Sequence, residues 1–145
     1  WFGLDALPVG APPRLATWAA RGRGLAAEAD ALRPVHGELL PMSRGDLRWQ
    51  ITVPPDGGLP LDGLAPTLLE WSGNDHPSRR LPDQGCRLRR LTAHTPEPAA
   101  LRACLAALGL ADALAIEPLP PGAAPWVGAE IDTPAGLRRL PVTGG

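Results

Sequence analysis

The sequence predicts an α+β fold made of two βαβββ modules, and three observations carry that reading. The order strand, helix, three strands can be read twice along the 145 residues. The third strand of each run shares a signature: residues 49–54, WQITVP, align with residues 129–134, AEIDTP, each ending in Pro and followed by Gly and Leu. A polar, breaker-rich stretch, GNDHPSRRLPDQG, separates the two runs. A βαβββ unit covers one sheet face with its helix and leaves the other bare, so two units side by side can curl their bare faces around a cavity. A single α+β domain with chance similarity between its halves is the competing reading.

The elements follow in order. Residues 1–13 form a Pro/Gly-rich lead-in, 14–72 the first module, 73–86 a linker and 87–142 the second module. In the first module, 14–20 (RLATWAA) reads as a strand. Leu25, Ala29 and Leu32 recur at helical spacing and predict a short helix over 25–32, stopped before Pro34. A short strand is expected at 35–40. The clearest strand is 47–53, where Leu47, Trp49, Ile51 and Val53 alternate with Arg48, Gln50 and Thr52. The turn PPDGG closes it, and 64–72 makes the last strand of the module. In the second module a strand spans 87–93. A helix follows, with Thr95 as N-cap, Pro96 as its first residue and Gly109 just past its end. Leu101, Cys104, Leu105 and Leu108 form its apolar face. Strands at 114–119, 126–133 and 136–142 complete the unit.

Composition narrows the function classes. The chain is 44% hydrophobic and 20% charged, as ordinary globular proteins are. A net charge of −1 gives no long-range attraction to nucleic acid or anionic lipid, so neither is expected as a partner. All 14 basic residues are Arg, with no Lys and no Tyr, a codon bias of GC-rich genomes rather than a binding signal. No window approaches the run of about 18 apolar residues that a membrane span needs. Two cysteines, Cys86 and Cys104, form neither a close pair nor a metal-binding spacing, and a reducing, cytoplasmic setting is expected. There is no Lys-bearing phosphate loop, no G-x-S-x-G, no H-E-x-x-H and no pair of C-x-x-C motifs. A start at Trp1, without Met, leads us to expect a piece of a longer protein.

The doubled βαβββ order, with the stretches PRLATWAAR, GDLRWQITVPPDGG, LAPTLLEWSGNDHPS and GCRLRRLTAHTPEPAALRACLAALGL, resembles the glyoxalase-like domain proteins of bacteria. These belong to the vicinal oxygen chelate superfamily, with glyoxalase I, extradiol dioxygenases and bleomycin-resistance proteins. The resemblance implies a curled mixed sheet, a small-molecule ligand and a divalent metal held by His and Glu. It also implies a further N-terminal module, carrying a His and a Glu, that nothing here matches. Where a first-strand His would fall in the second module stands Arg90, a departure from the family pattern.

On that basis Glu70, at a strand end in LLEWS, is the leading candidate for metal ligand and for proton transfer. An exposed strand-end Glu is the bland alternative. His76, in the loop after it, is a second catalytic candidate, against an ordinary loop His. Arg48 and Gln50, on the polar face of their strand, are candidate substrate contacts, with Arg48 able to clamp an oxyanion; the same face could instead be solvated. Trp18 and Trp71 could line an apolar pocket, while Trp49 reads as core. Glu130 and Asp132 occupy the matching face of the second module and more often would be an exposed pair. His36 and His94 are expected to be structural or exposed.

The expected function is a metal-dependent enzyme, of lyase or dioxygenase type, acting on a small oxygenated molecule. Two alternatives stay open: a metal-free module that binds or sequesters a small molecule, and a structural half-barrel completing a larger protein or a homodimer. Arg90 and the unmatched upstream module favour the binding module.

Overall fold

A computed structural model describes residues 9–10, 13–73 and 76–141. The expected lead-in therefore lies largely outside the described residues, as do Asn74, Asp75 and Val142. Eight strands and two α-helices are seen among the described residues: β1 (Ala19–Arg21), α1 (Leu25–His36), β2 (Glu38–Arg44), β3 (Leu47–Val53), β4 (Thr67–Trp71), β5 (Arg87–Thr95), α2 (Pro98–Ala107), β6 (Ala115–Pro118), β7 (Trp126–Thr133) and β8 (Gly136–Leu140). Short 3-10 helices occupy Pro60–Gly63 and Pro77–Arg80. Among the described residues no helix is long and apolar enough to cross a membrane.

The strands form two four-stranded mixed sheets, which do not close into a barrel. The first has the order β1-β4-β3-β2 and the second β6-β5-β7-β8. Across each sheet the directions run alike: an edge strand lies parallel to its neighbour, and the next two pairings are antiparallel. The element order also repeats, as the sequence predicts, but the wiring does not. α1 connects the two edge strands of its sheet, whereas α2 joins the adjacent parallel strands β5 and β6. The two WQITVP-like stretches nevertheless enter equivalent places, since β3 and β7 are both third in their sheets.

Several boundaries differ from expectation for local reasons. The segment 14–20 is not one strand. Leu15 makes an isolated antiparallel bridge with Val127 of β7, and only Ala19–Arg21 pairs with β4. The segment thus stitches one half to the other. α1 runs on through Pro34 to His36, although Pro34 has no N–H to bond the carbonyl four residues back; Gly37 N–H closes the end on Arg33 O at 3.0 Å. The next strand therefore starts later, at Glu38. α2 begins at Pro98, two residues after the expected start, with Glu97 as N-cap. Thr95 ends β5 instead, and its Oγ1 accepts the Glu97 N–H at 3.0 Å. Gly109 ends α2 as predicted: with φ at +67°, its N–H reaches Ala106 O, and Leu110 N–H reaches Leu105 O at 2.8 Å.

Two apolar clusters make the core. In the larger, Leu91 and Ala93 of β5 and Val127 and Ala129 of β7 pack beneath Leu101 and Leu105 of α2, with Leu64 added from the first half. In the smaller, Leu25 and Leu32 of α1 cover Leu68 of β4, with Leu108 added from the second half. Each half thus contributes to the other's core, the first half also through Leu15 and Trp18. At the same junction His36, 2% exposed, lies with Nδ1 3.1 Å from Pro66 O and Nε2 3.9 Å from Cys104 Sγ.

Candidate functional site

A cavity over the second sheet follows from the two-residue period of β5. Leu91 and Ala93 turn to α2, so Arg90, Thr92 and His94 face the opposite, helix-free side. A bulge between Leu88 and Arg90 sets the frame for these residues. Register carries the face across the sheet: Arg90 pairs with Glu130, Thr92 with Gly128 and His94 with Trp126, while β6 sets Glu117 beside His94 and β8 sets Arg139 beside Glu130. The face thus has two polar rows, Glu117–His94–Trp126 and Arg90–Glu130–Arg139, with Thr92 and Gly128 between them. Together with Pro118, Leu140 and Pro141 they line an open cavity of about 560 Å³, within the usual volume range for small-molecule sites.

Glycine in the middle row makes room for an aromatic ring. A Cβ on Gly128 would lie 3.0 Å from the Trp126 ring. That ring stacks on His94, with centroids 3.7 Å apart and planes 9° apart, and Trp126 keeps 39% of its surface exposed. Burial holds the His94 pKa below the usual imidazole value, and the Glu117 carboxylate opposes that only in part. The charges come in pairs. Arg139 Nε donates to Glu130 Oε1 at 2.9 Å, and Arg90 Nη2 lies 3.8 Å from Glu117 Oε1.

The candidates singled out in the first module lie elsewhere. Glu70 points to the helix side of its sheet: Oε1 accepts Gly24 N–H at 2.7 Å and Oε2 accepts Leu25 N–H at 2.9 Å. Its carboxylate caps the positive end of α1, whose own N-cap, Gly24, has no side chain to do so. Gln50, opposite Glu70 in the register, shares that face. Arg48 folds back on the β2–β3 turn, its Nη1 donating to Gly45 O and Leu47 O. Thus the polar face of β3 looks toward α1, not into a cavity between bare faces. Trp71 lies on the other face, 5.1 Å from Trp49, which is half-buried there rather than core. His76 packs edge-on against Trp71, and its Nδ1 accepts Ser78 N–H at 3.2 Å. Trp18 donates from Nε1 to Leu64 O at 2.8 Å and packs on the second module's core. The structure brings Glu70 and Gln50 together, and Trp71 and His76 together, but places none of the six in the second-sheet cavity.

Sequence reasoning passed over His94, Glu117, Trp126 and Arg139. A signal existed, because Arg90, Thr92 and His94 alternate with Leu91 and Ala93. Of the two acidic residues noted on β7, Glu130 lines the cavity, whereas Asp132 lies 3.8 Å from Arg89 at the bulge.

The donor set can be weighed against the expected metal. Among the described residues no three His, Cys, Asp or Glu side chains come together as a metal ion needs. In the cavity His94 is stacked on Trp126, Glu130 is bonded to Arg139 and Glu117 faces Arg90. These residues do not fit a metal centre.

Residues 1–109 match the family described as glyoxalase-like domain. No curated protein and no solved structure matches the chain. The matched region ends after α2, so it includes Arg90, Thr92 and His94 of the cavity, while Glu117, Trp126, Gly128, Glu130 and Arg139 lie beyond it.

Proposed function

The chain belongs to the glyoxalase-like domain family, and on that premise we propose that it is a small-molecule-binding module whose site is the helix-free face of the second sheet. The observation that carries this reading is the two polar rows with a Thr–Gly floor between them, lining an open cavity of about 560 Å³ beside an exposed indole. Trp126 supplies an aromatic wall, Arg90 and Arg139 supply donors, and Glu117 and Glu130 supply acceptors. In this reading Glu70 positions α1 and His76 orders its loop, and neither handles the ligand.

A fragment screen followed by amide chemical-shift mapping tests the proposal. Hits are expected to shift Thr92, His94 and Gly128, and to weaken at least tenfold in the Trp126→Ala variant. Hits that map only outside the cavity, or unaltered binding in Trp126→Ala, would overturn it. Elemental analysis of the purified chain tests the metal-free character of the site, since stoichiometric divalent metal lost in Glu117→Gln or Glu130→Gln would replace the binding-module reading with a metal-dependent one.

A further inference from the structure

The charges of the cavity cancel locally, and that restricts what can enter. Arg90, Glu130 and Arg139 lie in one cross-strand row, so a carboxylate approaching either Arg also meets the Glu130 carboxylate between them. A cation approaching Glu130 or Glu117 meets Arg139 or Arg90 in turn. A purely apolar ring would strip water from both ion pairs and return no hydrogen bonds. A hydroxyl, which both donates and accepts, can sit against an Arg–Glu pair and satisfy both partners. Between the rows, Gly128 lets the Trp126 ring lie close over the sheet, and that exposed ring offers an apolar surface.

We propose that the cavity takes a neutral, polyhydroxylated ring of monosaccharide size, its C–H face on Trp126 and its hydroxyls divided between the Arg90–Glu117 and Arg139–Glu130 pairs. This rests on the binding-module reading above and adds the ligand class. His94, held neutral and stacked behind Trp126, keeps the indole in place and adds no charge to the site.

The test is a set of amide chemical-shift titrations of the whole chain with three probes: methyl α-glucopyranoside, sodium benzoate and tetramethylammonium chloride. The glucoside is expected to shift Thr92, His94 and Gly128 at concentrations where the two ions leave them unmoved. Glu130→Gln removes one acceptor and leaves the site with a net positive charge. It is expected to weaken glucoside binding at least fivefold and to let benzoate bind, and its amide spectrum outside the cavity reports whether the variant is folded. Benzoate or tetramethylammonium shifting the cavity residues more strongly than the glucoside in the unaltered chain would overturn the ligand class and leave the binding site standing. Glucoside shifts confined to residues outside the cavity, or none at all, would overturn the ligand class as well. The fragment screen decides separately whether the cavity binds anything.

Discussion

The two halves share an element order and the strand directions of their sheets, and differ in what covers each sheet face and in how each helix is held at its ends. In the first sheet the face away from α1 carries Trp49, Ile51 and Trp71, with Leu40 and Met42 beside them in the register, and it is largely apolar. In the second the face away from α2 carries three charged or aromatic pairs and a cavity. The helix starts differ in the same way: α1 is capped from 46 residues away by Glu70, α2 by a turn in which Thr95 holds Glu97. The helix ends differ too, because Gly37 is pressed against β3 while Gly109 stands in open space. A repeated pattern of strands and helices therefore fixes the layers of each half but not which face becomes the site.

The largest expected effect tests whether the halves are one unit. Leu105 (0% exposed) lies in the second core and Leu68 (3% exposed) in the first. Either Leu→Ala change is expected to cost about 3 kcal/mol or more. Because Leu64 and Leu108 cross between the cores, both variants should lower the midpoint of a single urea transition. Two separate transitions, with each variant moving only one, would break the picture of interlocked halves.

A smaller effect sharpens the contrast of helix ends. At Gly37, φ is +77° and a Cβ would lie 2.1 Å from Val53 O, so Gly37→Ala is expected to cost at least about 2 kcal/mol. Gly109 has φ at +67° with nothing within 4 Å, and Gly109→Ala should cost only the left-handed backbone term, about 1 kcal/mol. Equal losses in thermal unfolding would mean that packing against β3 does not distinguish the two sites. For the helix starts, Glu70→Ala leaves two backbone N–H groups without an acceptor and is expected to lose about 1–2 kcal/mol. It should leave ligand binding on the second sheet unchanged. A binding defect in a folded Glu70→Ala protein would return Glu70 to the role the sequence first suggested.

These contrasts explain what was legible beforehand. β3 appears over the predicted residues 47–53 and β7 over 126–133, because strict alternation and flanking turns are local signals. Gly109 was legible for the same reason. Glu70 was not, since the helix it caps lies far away in sequence and a strand-end Glu looks alike whichever face it takes. The cavity was half legible: the period of two marks Arg90, Thr92 and His94 as one face. That Glu117 and Arg139 join them depends on β6 pairing beside β5 and β8 beside β7, which no periodicity encodes.

The smallest expected effect concerns pH, and it contrasts the two histidines whose pKa values burial lowers. His36 lies at the junction of the halves, its Nδ1 on Pro66 O and its Nε2 facing Cys104, whose thiol is held protonated by its own burial. The Nδ1–Pro66 bond favours the charged imidazole, but desolvation outweighs it. The unfolded chain therefore takes up a proton near the ordinary value of about 6.5 while the folded chain still resists it. Between that value and the lower folded pKa the unfolded state binds more protons, so stability falls as pH falls through this window and is independent of His36 above it. The melting temperature should drop from pH 7.5 to pH 5. His36→Gln should flatten the drop more than His94→Gln does, because His94 is only half-buried and sits beside Glu117. An unchanged slope in His36→Gln, with His94→Gln removing it, would move the pH-sensitive point from the junction to the cavity.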